Sequence, residues 1–161
     1  HVVSSEGSKP EHYEFLYDGD KDPRKEFASA LKEVIGSFGS IVVYNQSFEI
    51  SRLKELVSFL PENKDWVENT IGRVVDLIIP FKNFSYYNPL QCGSASLKKV
   101  LPALTGKDYS TLEIDDGITA SIEFYNMAYK GGKDVREDLL KYCCLDTISM
   151  VWIVDELNKF F

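Results

Sequence analysis

The sequence predicts an α/β domain built on a small mixed sheet flanked by helices. Three observations carry this. Ser40-Ile-Val-Val-Tyr44 is a continuous run rich in β-branched residues between Gly39 and Asn45, the pattern of a strand buried on both faces. Apolar residues recur at helical spacing just before it (Phe27, Leu31, Val34, Ile35) and just after it (Ile50, Leu53, Leu56, Val57, Leu60). This strand and helix alternation then gives way to a helix-rich second half.

The elements follow in order. Tyr13-Glu-Phe-Leu-Tyr17 alternates well enough for a short strand, and Asp18 to Asp22 reads as a turn before Pro23, a residue that suits a helix start. The first helix stops at Gly36, and the helix after the strand stops at Pro61. Asp65 to Ile71 predicts a short helix, and Val74 to Ile79 a strand or extended segment. Phe81 to Gln91, rich in aromatics, Asn and Pro, predicts a loop. Ser94 can cap a helix running to Gly106. Glu113 to Gly117 predicts a turn, Ile118 to Tyr129 a helix, and Asp134 onward a last helix with Asp134, Glu137 and Asp138 favourably placed near its N-terminus.

At 161 residues the chain suits one domain, 1–161. Hydrophobic residues at 44% and charged residues at 27% are enough for a packed core and exclude disorder. The longest apolar stretch, Val74 to Phe81, is broken by Asp76 and Pro80, so no membrane span is expected. Twenty-five acidic against eighteen basic residues give a net charge of −7, which argues against nucleic-acid binding through bulk charge. Such a balance still allows a nuclease whose positive charge comes from bound metal ions. Cys92, Cys143 and Cys144, odd in number and two of them adjacent, make a poor disulfide framework, so a reducing, cytoplasmic location is expected. Two histidines without a CxxC pair give no zinc site by spacing.

Two places in the chain carry candidate chemistry. In Tyr142-Cys-Cys-Leu-Asp146 the i,i+4 spacing puts Tyr142 and Asp146 on one helical face, about 6 Å apart along the axis. Leu139, Leu140, Cys143 and Met150 around them predict a deeply packed helix, and a carboxylate there needs a partner such as a metal ion. By itself the pair more often marks a tyrosine beside a solvated carboxylate. In Ile41-Val-Val-Tyr-Asn-Gln-Ser-Phe-Glu49 an apolar strand runs into Asn45, and Glu49 falls in the first turn of the next helix. Open α/β sheets place ligands just past the C-terminal ends of their strands. Taken alone, Glu49 is explained as well by stabilisation of the helix N-terminus.

Together these motifs resemble the tyrosine-variant DEDD 3′-5′ exonucleases of the ribonuclease H-like superfamily: a strand, Asn-x-x-Phe-Asp/Glu, and far downstream Tyr-x-x-x-Asp on a C-terminal helix. Val75-Asp76-Leu77 is similar to the family's middle strand, and Gly93-Ser-Ala-Ser-Leu to Leu-Thr-Gly106 to its Ser-Leu … Leu-Gly helix. More narrowly, the segment from Phe27 to Leu157 resembles an uncharacterised bacterial domain family of that superfamily, found at the C-terminal end of larger proteins. The resemblance implies a ribonuclease H-like fold, Glu49 and Asp146 as ligands of two Mg²⁺ or Mn²⁺ ions, Tyr142 orienting the attacking water, and Asn45 positioning Glu49 or touching nucleic acid. Asp76 is expected to be structural. Two departures stand out: the opening Asp-x-Glu strand is absent, and position 49 is glutamate where aspartate is usual. The chain is therefore expected to be a C-terminal piece of a larger protein, weak or inactive as a nuclease by itself.

The expected partners are nucleic acid and the remaining domains of the parent, with no membrane. An edge left by the missing strand would also admit a homodimer. The competing reading is a non-catalytic module of the same fold, which the acidic charge and Glu49 favour. A weaker one is an interaction domain presenting the aromatics of Phe81 to Tyr87 beside Lys82 for stacking on unpaired bases.

Overall fold

Pro23 cannot donate a backbone hydrogen bond and stands just ahead of the first helix, α1 (Arg24–Ile35). In the computed structural model, which describes residues 1–19 and 21–160, the chain gathers into two compact units, Arg24–Ala103 and His1–Pro23 with Leu104–Phe161.

In the unit Arg24–Ala103, α1 leads through a tight turn into β1 (Ile41–Val43), α2 (Gln46–Phe59), a 3₁₀ turn at Pro61–Asn63, α3 (Lys64–Gly72) and β2 (Val74–Asp76). The two strands pair in parallel, Ile41 with Val74, Val42 with Val75 and Val43 with Asp76, so α2 and α3 form the crossover that a parallel pair requires. The turn after α1 needs left-handed backbone at Gly36 (φ 53°) and Gly39 (φ 84°), conformations that glycine adopts without a Cβ penalty. A single guanidinium fastens it. Arg73 Nη1 donates to the carbonyls of Ile35, Phe38 and Gly39, and Nη2 donates to that of Gly36 at 2.9 Å.

Beyond β2 come a short helix α4 (Ile79–Lys82), a 3₁₀ turn at Pro89–Gln91 and α5 (Leu97–Thr105). The expected loop over Phe81–Gln91 is thus partly helical at both ends. Asn88 and Gln91 form a reciprocal capping box, with Gln91 only 1% exposed. Ser94 does not cap α5; its hydroxyl accepts the Ser96 N–H, and the Ser96 carbonyl takes the first helical N–H groups. The core of this unit is Val43, Leu56, Val67, Leu77, Phe81, Val100 and Leu101. In the aromatic segment, Phe81 is buried against the edge of Tyr86, whereas Phe84 and Tyr87 lie exposed.

The other unit contains α6 (Gly117–Lys130) and α7 (Arg136–Leu157). Asp116 caps α6 by accepting the N–H groups of Ile118 and Thr119, and Gly131 in left-handed conformation ends it. Ile114, Val135 and Leu139 form a buried cluster, against which Leu16, Ala120, Phe124, Met127 and Tyr142 pack.

The chain is thus mixed α/β and mostly helical, with a two-stranded parallel sheet where a mixed one was expected. Three further expectations are corrected. β1 is not buried on both faces: Val43 is buried, but Val42 is 36% exposed and its partner Val75 48%. With two strands of three residues each, the sheet has too little area to be covered on both sides. Tyr13 to Tyr17 is not a strand. The antiparallel bridge between Val2 and Glu11 ends before it, and the carbonyls of Leu16 and Tyr17 accept from Arg136 instead of a neighbouring strand. Cys143 is exposed and Cys144 half-buried, so neither is a core residue; all three cysteines are free. No helix among the described residues is long and apolar enough to cross a membrane.

Candidate functional site

Asn45 begins the site in Arg24–Ala103. It sits at the N-cap of α2 with φ 72° and ψ 69°, a left-handed conformation that asparagine tolerates better than most residues. That turn aims the first N–H groups of the helix at the end of the neighbouring strand. Asp76, the last residue of β2, receives them: Asn45 N–H donates to Oδ1 at 2.9 Å and Gln46 N–H to Oδ2 at 3.0 Å. Ile78 N–H donates to Oδ1 at 3.2 Å. Asp76 is therefore a cap supplied across the sheet, satisfying donors that the helix leaves open. Its position beside the helix N-terminus also suits its charge.

Glu49 lies one turn further along α2. Its Oε2 is buried and meets no hydrogen-bond partner among the described residues. Burial pushes its carboxyl above the ordinary glutamate range; the Asp76 charge adds to this, and a hydrogen bond from its own backbone amide opposes it. Beside them Tyr44 donates to the Ala95 carbonyl at 2.6 Å, and burial followed by the Asp76 charge drives its phenol strongly upward. The Asn45 side chain accepts from Ser47 Oγ at 3.0 Å.

A raised folded pKa means that Glu49 supports folding while protonated and withdraws that support as pH rises through its titration. Glu49→Gln carries no such charge. As pH rises above about 4, the ordinary glutamate value, the wild-type chain should lose thermal stability relative to Glu49→Gln. A gap in melting temperature that does not move with pH contradicts the assignment.

Asp146 anchors the second place, in the unit containing α7. It is half-buried, and Tyr109, only 5% exposed, donates to its Oδ1 at 2.6 Å. Tyr142, one helical turn before it, is held against the same carboxylate, as the i,i+4 spacing predicts. Burial first and the Asp146 carboxylate second push both phenols well above the ordinary tyrosine range, so each remains a protonated donor. The tyrosine rings stand 6.3 Å apart at 48°.

The sequence-derived residues thus fall in two groups. Asn45 and Glu49 stand beside Asp76 in one unit; Tyr142 and Asp146 stand together in the other. Sequence reasoning missed Tyr109. It lies 37 residues before Asp146 with no motif around it, and only its aromatic, hydroxyl-bearing character marked it. It also missed His1, His12 and Cys144, which lie together in the unit His1–Pro23 with Leu104–Phe161.

A family model described as Domain of unknown function (DUF2779) matches residues 1–96. The chain belongs to this family. The match covers Asn45, Glu49 and Asp76, whereas Tyr142 and Asp146 lie beyond it. No curated protein and no solved structure matches the chain.

Proposed function

We propose that this DUF2779 chain is the exonuclease-like portion of a larger, metal-dependent 3′-5′ nuclease, weak or inactive in isolation for want of the opening Asp-x-Glu motif. The observation that carries the reading is the buried, unpartnered Oε2 of Glu49 just past the C-terminal end of a parallel strand pair. A buried carboxylate oxygen without a donor is costly unless a cation completes it. Hard oxygen ligands are what Mg²⁺ and Mn²⁺ take. Glu49 has the chemistry for such an ion, and the resemblance gives Asp146 as the second carboxylate ligand. When bound, divalent ions supply an activated water and stabilise the leaving 3′-oxygen.

The remaining roles belong to the chain itself. Tyr142, kept protonated beside Asp146, orients the attacking water by hydrogen bond. Asn45 holds the entry to α2 in the conformation that sets Glu49, and its amide N–H groups can meet a phosphate. Asp76 organises the backbone and does not ligate.

The runner-up, a non-catalytic module that binds nucleic acid or braces its parent, draws on one specific observation. Asp146 is already served by Tyr109 at 2.6 Å and so has a partner without any ion.

The deciding measurement is Mn²⁺-dependent degradation of single-stranded DNA by the parent and by this chain. The parent should be active and lose that activity in both Glu49→Gln and Asp146→Ala, while the 161-residue chain shows little. Robust activity of the short chain that survives Asp146→Ala overturns the reading. Calorimetry that finds no carboxylate-dependent Mn²⁺ binding in the parent favours the non-catalytic module.

A further inference from the structure

We propose that His1, His12 and Cys144 form a binding site for a zinc-class transition-metal ion, independent of the nuclease reading and of Glu49 and Asp146. One ligand atom from each of the three lies within 4.8 Å of the others. This convergence has a structural cause. Val2 and Glu11 exchange backbone hydrogen bonds at 2.9 Å in an antiparallel bridge, so the next pair outward is His1 opposite His12, on one face of the two-stranded segment. Their rings stand 4.6 Å apart, tilted by 35°. Cys144 comes from α7, whose Thr147 also meets His1.

The surrounding hydrogen bonds prepare both imidazoles as ligands. Thr147 Oγ1 donates to the helix carbonyls of Cys143 and Cys144 at 3.1 Å, which uses its one proton. It must then accept from His1 Nδ1, 2.8 Å away, leaving His1 Nε2 as a bare lone pair. Glu14 as a carboxylate can only accept, so His12 Nε2–H donates to it at 3.1 Å and leaves His12 Nδ1 bare. Supporting hydrogen bonds of this kind, from a hydroxyl and a carboxylate, are what fix the tautomer of metal-bound histidines.

Two imidazoles and a thiolate suit borderline-soft Zn²⁺ rather than the hard ions of an all-carboxylate site. Tetrahedral bond lengths of about 2.0–2.3 Å place ligand atoms roughly 3.5 Å apart, so the site closes by side-chain rotation of about 1 Å. Three protein ligands leave the fourth position to water or a small ligand. A cavity of about 340 Å³, lined by His1, His12, Cys144, Thr147, Leu16 and Phe124, opens onto it. Cys144 and Asp146 are two residues apart on α7, about 200° around the helix, so the site faces away from the Asp146 carboxylate. The bound ion would tie the N-terminal segment to α7.

Cobalt spectroscopy tests this on the full 161-residue chain. Co²⁺ titration should give one equivalent with intense visible bands of tetrahedral cobalt and a near-ultraviolet thiolate band, all displaced by Zn²⁺. Cys144→Ser should abolish the thiolate band, and Cys143→Ser, its exposed neighbour, should retain it. Thr147→Val and Glu14→Gln should weaken binding about 10–100-fold. Circular dichroism of each metal-free variant separates loss of the site from loss of the fold. The absence of saturable Co²⁺ and Zn²⁺ binding by folded chain overturns the proposal, as does binding unchanged in folded Cys144→Ser and His12→Ala.

Discussion

Asp76→Ala is expected to destabilise the unit Arg24–Ala103 by about 2–4 kcal/mol, the larger part of a typical small domain's margin. The carboxylate accepts three backbone N–H groups, from Asn45, Gln46 and Ile78, and alanine leaves all three to find water or go unpaired. Loss of a helix cap alone costs about 1 kcal/mol, and hydrogen bonds to a charged acceptor are worth more than neutral ones. Removal also frees the αL turn at Asn45, whose backbone N–H is held by Asp76 Oδ1. The chain has two tryptophans, Trp66 on α3 and Trp152 on α7, so a Trp152→Phe background leaves Trp66 to report on this unit. The urea midpoint of its fluorescence transition should fall with little change in slope. Asp76→Asn retains one acceptor oxygen and should fall by less. An unchanged midpoint in Asp76→Ala removes the capping role.

Leu139→Ala is expected to cost about 2–5 kcal/mol in the unit containing α7. Leu139 is 5% exposed and is one of three residues, with Ile114 and Val135, on which that unit's apolar cluster is built. Truncation removes buried methyl groups and leaves a void that Ile114, in a loop, and Val135, at the entry to α7, can fill only partly. Tyr142 packs against the same cluster one turn along, so its ring loses part of the wall that presses its hydroxyl toward Asp146. Trp152 fluorescence in a Trp66→Phe background follows this unit. A midpoint that stays in place shows that the cluster does not hold α7.

The sequence made the helices easy to read and the sheet hard. α1, α2, α3, α6 and α7 carry apolar residues at helical spacing, and α1, α2 and α6 also have a breaker at the end: Gly36, Pro61 and Gly131. A strand of three residues has no such redundancy. The run Ser40 to Tyr44 was long enough to give β1 but not to show that only Val43 would be buried, because coverage depends on neighbours that the local pattern does not contain. Tyr13 to Tyr17 alternates like a strand and fails to become one because its carbonyls find Arg136, more than a hundred residues away.

The site divides in the same way. Tyr142 and Asp146 were legible because i,i+4 on a helix is a local relation. So was the position of Glu49 in the first turn after a strand. The role of Asp76 was visible only as a strand end; two of its three donors, Asn45 and Gln46, come from register between β1 and β2, which sequence spacing does not fix. The grouping of His1 and His12 with Cys144 had no signal at all. Their separation exceeds the short spacings that mark metal-ligand motifs; the two histidines meet through the bridge that pairs Val2 with Glu11, and Cys144 joins them from α7.

Arg73 reaches four consecutive-turn carbonyls between Ile35 and Gly39, and that reach has a consequence for how this chain can vary. A planar fork of fixed span acts as a ruler: one added or deleted residue among 36–39 would move at least two of the oxygens out of its range. A lysine there, with a single nitrogen, could not bridge them. Length changes are thus barred from this corner.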